Sequence, residues 1–266
     1  MRARMGGDWF FPSRLASQLV AAHPQRERWE RAGVTAVAIL VLTAIVIACI
    51  ALLTDVDLTL ADSAFDANAK VFPLRHAWVT EVFNHVILKR IFTTFALLFL
   101  IAVLWDLASP RQWTWLRRFQ MRVVALSAVL VPTVISLLKQ SSDSHCPWDL
   151  ERYGGTEPYV KLFEYLPAGV EPGHCMPGGH ASSALWMISL AVFFVPHRLT
   201  LAMAALAAFL SVGLAVGWLQ QLRGAHFLTH TLWSAWIALL TVFLITACLD
   251  RWPKRRGTTT ESLPLT

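Results

Sequence analysis

Six long apolar segments, separated by polar or basic stretches, constrain the fold of this chain more than any other feature. Several of them approach the roughly 20 residues that an α-helix needs to cross a bilayer. The sequence therefore predicts an all-α fold, a six-transmembrane helical bundle. We place the spanning helices at residues 33–54, 87–107, 122–138, 181–197, 199–217 and 231–249.

The composition agrees with an integral membrane protein. Hydrophobic residues make up 56% of the chain and charged residues only 15%, whereas soluble domains carry about 25% charged residues. The 12 Trp and 15 Phe residues are typical of proteins whose aromatic rings lie at the membrane interface. The net charge of +6 occurs without any motif for RNA or DNA, so we expect no nucleic-acid partner.

The distribution of Lys and Arg predicts which side of the membrane each loop faces. Six spans put both termini on one side, together with residues 108–122 and the turn at 196–198. That side carries most of the 23 Lys and Arg residues, so the positive-inside rule makes it cytoplasmic. The loops expected on the outer side are 55–90, 139–180 and 218–230.

These spans divide the chain into three parts. Residues 1–32 are basic and have no apolar core, so we expect a cytoplasmic segment and not a cleavable signal peptide. Residues 33–250 form the membrane domain, and residues 251–266 form a cytoplasmic tail. In the first outer loop, "FPLRHAWVTEVFNHVILKR" has apolar residues at helical spacing. We expect a helix there that lies on the outer surface and leads into span two, with structural or interfacial roles for His76 and His85.

Polar and basic residues collect at the outer ends of several spans. Lys139 ends the third span, and His180 begins the fourth. Arg223, His226 and His230 lie around the loop before the sixth span. Helical bundles build sites in this way, from side chains on facing helices.

These residue types suit phosphoryl transfer. Lys and Arg provide fixed positive donors, and a guanidinium matches the oxygens of a phosphate. Gly178 and Gly179 would leave backbone amides for an anion at the start of a helix. Of two histidines, one can attack phosphorus while the other protonates the leaving oxygen. Because the cationic side chains stabilise the transferring group, we expect no metal and no cofactor.

The segment that begins at Lys139 and the segment that ends at His180 resemble motifs of the PAP2 (type 2 phosphatidic acid phosphatase) superfamily. The superfamily motifs are K-x6-RP, PSGH and SR-x5-H-x3-D. The first reads "KQSSDSHCP" here, with Lys139 and Pro147 in place and Cys146 instead of arginine. The second reads "PGGH", with Gly178 instead of serine before His180.

The third motif resembles "RGAHFLTH" in two alignments. In the first, His226 takes the place of the nucleophilic histidine and His230 that of the aspartate. Gln220 then occupies the arginine position, and Arg223 follows three residues later. The resemblance implies a phosphohistidine intermediate, with His226 as nucleophile and His180 as general acid. A shift of one residue instead makes His230 the nucleophile and His226 a phosphate donor; we favour His226.

The second outer loop holds two further candidates. Cys146 and Cys175 are able to form a disulfide if this loop faces an oxidising compartment. His145 lies beside the missing arginine of the first motif, and we hypothesise that it partly replaces that arginine as a phosphate donor.

Together these expectations describe a membrane lipid phosphatase. We expect it in the inner (plasma) membrane of a bacterium, with its site facing outward. It would hydrolyse a phosphate or pyrophosphate ester of a lipid head group. Two alternatives stay open: transfer of the phosphoryl group to another lipid, and a non-catalytic membrane protein or transporter. The sequence does not set the oligomeric state.

Overall fold

The computed structural model describes residues 13–110 and 112–251, and the surroundings of side chains from 31 to 110 and from 112 to 250. Over these residues the regular structure is helical, with isolated β-bridges but no strand. Ala44–Thr266 form one compact unit and Met1–Thr43 another. The α-helices in the described part are α1 (Ser13–Leu53), α2 (Val56–Ala64), α3 (Lys89–Ala108), α4 (Trp115–Gln140), α5 (Gly179–Leu185), α6 (Leu199–Leu222) and α7 (Leu228–Arg251).

Two segments beside these helices are wound differently. A π-helix, Val79–Leu88, runs directly into α3. A 3-10 helix, Trp186–Phe194, continues α5. Short 3-10 turns at Pro147–Asp149 and Glu151–Tyr153 lie in the long loop after α4.

Five described helices are long and apolar enough to cross a membrane, which agrees with a multi-pass membrane protein. Each overlaps one of the predicted spans. The fourth predicted span, 181–197, corresponds to a shorter apolar segment, Gly179–Phe194. The five long segments are Arg31–Leu53, Val79–Ala108, Trp115–Gln140, Leu199–Leu222 and Leu228–Asp250.

The short segment Gly179–Phe194 touches both ends of α4. At one end, a Cβ on Gly179 would lie 3.8 Å from Cδ of Lys139. At the other end, the side-chain amide of Gln120 donates a hydrogen bond of 3.1 Å to the carbonyl of Val192. A 3-10 helix rises about 2.0 Å per residue and an α-helix about 1.5 Å. Because part of Gly179–Phe194 is wound as a 3-10 helix, this segment follows most of the length of α4 with fewer residues than an α-helix would need.

The centre of the bundle is formed by α5 and its 3-10 continuation, packed among α4, α6 and α7. Leu185 and Trp186 are at most 1% exposed. On α6, a Cβ at Gly213 would lie only 2.3 Å from Cδ2 of Leu185. Small residues at helix interfaces let two helices approach closely in a membrane protein. Gly213 thus allows the short segment to lie against α6.

The loop predicted at 55–90 contains more structure than expected. Helix α2 was not predicted. The expected surface helix also differs, because helical structure begins only at Val79 and continues without a break into α3. The hydroxyl of Thr80 bonds to the carbonyls of Leu74 and Ala77, which holds the preceding residues in turns. The apolar pattern indicated a helix correctly but not where it begins.

Candidate active site

The three predicted catalytic histidines lie in a row where α4 ends and where α5 and α7 begin. The ring centroids of His180 and His226 are 6.0 Å apart, and those of His226 and His230 are 5.8 Å apart. His180 is the second residue of α5, and His230 is the third of α7. His226 lies in the loop before α7. The fold therefore brings together residues that the sequence keeps far apart.

A glycine shapes the loop that carries His226. Gly224 has a φ of 75°, in the left-handed region that glycine adopts readily. A Cβ at this position would also lie 2.5 Å from Cδ2 of Phe72. The turn is closed by hydrogen bonds of 2.9 Å from the Gly224 amide to the Gln221 carbonyl and from the Ala225 amide to the Gln220 carbonyl. Glycine is thus required here both by backbone conformation and by packing.

A carboxylate from α2 binds the start of α7. Asp57 is 6% exposed and accepts a 3.0 Å hydrogen bond from the Thr229 amide and another bond from the Thr229 hydroxyl. Free amides at a helix N-terminus favour such a partner. Burial still raises the pKa of Asp57, because desolvation outweighs these hydrogen bonds. Sequence reasoning missed this contact because its partners are 172 residues apart, yet it fixes the residue next to His230.

The surroundings of His226 leave one ring nitrogen for a substrate. This residue is 4% exposed, and its Nδ1 lies 3.4 Å from Sγ of Cys175. Nε2 is thus the ring nitrogen that this contact leaves free. Burial lowers the pKa of His226 well below its usual value, and the neighbouring histidines and Lys139 lower it further. His226 is therefore neutral near pH 7, which is the form able to attack phosphorus.

His230 is engaged by other parts of the protein. Its Nε2 lies 3.1 Å from Oγ of Ser144. Its carbonyl accepts hydrogen bonds from the Gly178 amide at 3.0 Å and from the Ser234 hydroxyl at 2.8 Å. The Gly178 amide is thus satisfied within the protein, in contrast to the expectation that it would face an anion. A Cβ at Gly179 would lie 3.8 Å from Cδ of Lys139, and its role as an amide donor to an anion stays a prediction.

A cavity of about 470 Å³ lies between α3, α4 and α5. Along both α3 and α4 its lining changes from charged to apolar. Lys89 and Lys139 line it together with His180, and Ala96, Ala128, Pro132 and Trp186 line it farther along the helices. A molecule with an anionic head and an apolar tail matches this sequence of surfaces.

The predicted arginine, Arg223, lies close to this cluster. It is 8% exposed, and its guanidinium carbon lies 5.6 Å from the ring centroid of Trp148. Burial lowers the pKa of Arg223, although a guanidinium stays charged at neutral pH. Its charge acts on both His85 and His180. Arg223 thus adds positive charge beside the first histidine of the row.

Cys146 and Cys175 are bonded to each other in the structure, with Cα atoms 5.3 Å apart. The bond joins the start and the end of the loop between α4 and α5. Sγ of both cysteines and one ring nitrogen of His226 lie within 4.8 Å of one another. A metal would require the thiolates, which the disulfide does not offer. The expectation of a metal-free site stays a prediction.

His145 is not brought to the other predicted residues. Its Nε2 lies 3.6 Å from a carboxylate oxygen of Glu157. Its ring packs on Gly173, where a Cβ would lie 2.5 Å from Cδ2 of the ring. The backbone is extended at Cys146, and side chains of neighbouring extended residues point in opposite directions. The contacts of the His145 ring are thus with Glu157 and Gly173, and its role as a phosphate donor stays a hypothesis.

Two residues from the segment that was predicted as a loop at 55–90 also reach the cluster, and sequence reasoning missed both. The ring centroid of His85 lies 4.3 Å from that of His180. Lys89 lines the cavity. The sequence did contain a signal for these two residues. A histidine and a lysine four residues apart at the start of an apolar span share one helix face.

The family of the chain follows from its second half. A family model described as the PAP2 superfamily matches residues 120–254. The chain belongs to the PAP2 superfamily. The match runs from α4 through α7 and contains all three motif segments, while α1, α2 and α3 lie before it. Comparisons with curated proteins and with solved structures gave no match. Membership of this superfamily suggests phosphatase activity.

Proposed function

We propose that this PAP2 protein hydrolyses a phosphate or pyrophosphate ester of a lipid head group through a phosphohistidine intermediate. The observation that carries the proposal is the cavity between α3, α4 and α5. Its charged lining at Lys139 and His180 changes to an apolar lining along the same helices. A lipid phosphate has the same two-part chemistry, and the row of histidines begins at this cavity.

In the proposed complex, the phosphate lies beside Lys139 and the start of α5. The lipid tail follows the apolar lining past Ala96 and Trp186. Lys139 and Arg223 offset the charge of the transferring phosphoryl group, and such fixed charges are worth most where water is excluded. The substrate therefore needs both an anionic group and a tail to fill the site.

The reaction has two steps. Nε2 of His226 attacks phosphorus, and the bond from phosphorus to the leaving oxygen breaks as the N–P bond forms. The bound anionic phosphate favours the protonated form of His180, which donates its proton to that leaving oxygen and becomes neutral. In the second step, water attacks phosphorus and gives a proton to His180. The N–P bond breaks, and inorganic phosphate leaves.

Two contacts favour His226 over His230 as the nucleophile. Nδ1 of His226 faces Cys175, so its Nε2 is left for phosphorus. Nε2 of His230 lies instead at hydrogen-bond distance from Ser144, and its Nδ1 is buried without a hydrogen-bond partner in the part of the chain that the structure describes. A nucleophilic histidine needs a ring nitrogen that is both unpartnered and open to the substrate. In the alignment shifted by one residue, His230 is the nucleophile. One outcome of the labelling test below would support that alignment.

The test is release of inorganic phosphate from a lipid phosphate in detergent micelles by the purified protein. His180→Ala and His226→Ala should each lower kcat by about 10²-fold or more, the usual contribution of a catalytic acid or base. The control is His76→Ala, because His76 is exposed and pairs with Glu81 at 3.3 Å. Undiminished activity in His226→Ala would rule out this nucleophile.

Labelled substrate separates the remaining alternatives. The wild-type protein should carry a labelled phosphohistidine after rapid quenching, and His226→Ala should carry none. Loss of the label in His230→Ala alone would instead support the shifted alignment. Label that moves to a second lipid without release of inorganic phosphate would identify a phosphotransferase. A wild-type protein that does neither is a non-catalytic member of the superfamily.

A further inference from the structure

Helix α3 and the π-helix before it supply a part of this site that the PAP2 motifs do not contain. We infer that Lys89 binds the substrate phosphate and that His85 is a positioning residue for His180. This inference rests on the proposed function, because both residues act at its substrate site. Both also lie before residue 120, where the match to the family begins.

The two residues lie on one face of a continuous helix. His85 belongs to the π-helix Val79–Leu88, and Lys89 is the first residue of α3. Four residues make about one turn, so the two side chains are neighbours on the helix surface. Short π-helical segments within helices occur frequently at functional sites. Here the face carrying His85 and Lys89 is turned toward α5.

A buried side chain fixes this orientation. Asn84, 4% exposed, donates a 3.2 Å hydrogen bond from its amide to the carbonyl of Val216 on α6. A buried hydrogen bond of this kind sets the rotation of the π-helix relative to α6, because breaking it would leave polar groups unpaired. His85 is the next residue. Its ring is therefore placed against His180, with 4.3 Å between centroids and 46° between the ring planes.

The charge of the cavity explains why Lys89 is needed. The superfamily motifs carry two arginines, and this chain has Cys146 and Gln220 at those positions. Cys146 is in a disulfide, and Gln220 is 0% exposed. Neither provides a positive donor. Within the cavity lining the positive groups are Lys139 and Lys89, so Lys89 supplies a cationic contact that the motif positions have lost.

His85 acts through His180. The charged and titratable groups near it are Glu81 and Lys89 on its own helix, Arg223 from the loop before α7, and His180 from α5. Nδ1 of both His85 and His180 is buried without a hydrogen-bond partner among the described residues. Neither Nδ1 atom therefore joins the two rings by a hydrogen bond, and the contact between the rings is one of packing. Removal of the His85 ring would let His180 turn and let water reach it.

Substitutions of Lys89, with a substitution of its neighbour Arg90 as the control, test the role of Lys89. Lys89→Gln should raise the KM for a lipid phosphate and weaken inhibition by inorganic phosphate by about tenfold or more, as expected for loss of one charge-assisted hydrogen bond. Lys89→Arg should restore most of both. Arg90→Gln is the matched control, because Arg90 is the next residue of α3 and does not line the cavity.

A pH profile tests the role of His85. His85→Ala should lower kcat by about ten- to hundred-fold, since a small misplacement of a catalytic group has effects of this size. The basic limb of kcat reports the proton of the acid in the complex. It should move to higher pH in His85→Ala and stay in place in His76→Ala. A purely structural defect would lower the amount of folded protein without moving this limb.

The outcomes separate the inference from the proposed function. If Lys89→Gln behaves like Arg90→Gln and His85→Ala behaves like His76→Ala in an active protein, α3 is not part of the site and the inference is wrong. If the wild type releases no phosphate, the proposed function fails. Calorimetric titration of the wild type and of Lys89→Gln with inorganic phosphate then tests whether Lys89 binds phosphate, because phosphate binding requires no turnover. Equal affinity in wild type and Lys89→Gln would overturn the inference in that case too.

Discussion

At the scale of single residues, Gly224 gives the clearest expectation for stability. Gly224→Ala would put a Cβ 2.5 Å from the ring of Phe72 at a backbone φ of 75°. We expect a loss of about 2 kcal/mol or more in the free energy of unfolding, from strain and overpacking together. The measurement is thermal or denaturant unfolding in detergent.

Gly169→Ala separates the two causes at Gly224. Gly169 also has a positive φ, 88°, but nothing lies within 4 Å of its Cβ position. This control should lose less stability than Gly224→Ala, because only backbone strain acts there. Equal losses in the two variants would show that the contact with Phe72 contributes nothing.

The charge state of His226 gives an expectation for activity against pH. Its pKa lies well below 6.5 because of burial and nearby charges, including Lys139. A histidine with a lowered pKa stays neutral until the pH falls through that lowered value. We therefore expect kcat/KM to remain high at pH 6.5 and to fall only at more acidic pH, as His226 becomes protonated.

Substitution of lysines checks this cause. Lys139→Met should move the acid limb of kcat/KM toward neutral pH, because one charge that lowers the pKa of His226 is removed. Lys161→Met should leave the limb in place, since Lys161 pairs with Asp55 at 2.8 Å. An acid limb at or above pH 6.5 in the wild type would contradict the neutral, buried state of His226.

Individual residues also show what sequence reasoning could and could not predict. Lys139, His180 and His226 were predicted from motif letters that survive in this chain, and the fold brings them together. His145 was chosen by adjacency alone, and in the structure its ring contacts Glu157 and Gly173. Asp57 carries no motif, and its contact with Thr229 depends on how α2 packs on α7. Contacts of this kind follow from tertiary structure and leave no local pattern.

At the scale of elements, the disulfide holds the loop between α4 and α5. The sequence separation of 29 between Cys146 and Cys175 corresponds to about 3–4 kcal/mol by the chain-entropy estimate. Sγ of Cys175 also lies against Nδ1 of His226. The double change Cys146→Ser and Cys175→Ser should therefore lower both stability and phosphate release.

Reductant and a second pair of cysteines test this expectation. Cys49→Ser and Cys248→Ser should change little, because both thiols are free and exposed. Unfolding and activity of the wild type are measured with and without reductant. Values unaffected by a reductant that breaks the bond would show that the loop is held by its other contacts.

The helices themselves were predicted well where long apolar runs set them. Five predicted spans overlap five long apolar helices. The π-helix Val79–Leu88 and the 3-10 helix Trp186–Phe194 were not predicted, since apolar periodicity does not separate these windings from an α-helix. Both segments pack against other helices, the first on α6 through Asn84 and the second between α4 and α6.

At the scale of the whole molecule, the site combines a family part and a local part. The matched residues 120–254 supply α4 to α7 with the three motif segments. The earlier helix α3 supplies the remaining wall of the cavity, with Lys89 and Ala96. Motif arginines are replaced in this chain, and cationic side chains from outside the motifs stand nearby. Under the proposed function, these side chains supply the positive charge that the motif arginines would otherwise provide.

The number of crossings decides on which side each terminus lies. Five crossings place the termini on opposite sides of the membrane, and six place them on the same side. Gly179 lies near Lys139 and Val192 near Gln120, so the short segment runs along most of α4. This supports a sixth crossing.

With the basic loops inside, we expect fluorescent protein fused to either terminus to fluoresce. Alkaline phosphatase inserted after Tyr165, which is 96% exposed, should be active outside. Terminal reporters on opposite sides would instead show that Gly179–Phe194 does not cross, and that the bundle has five spans.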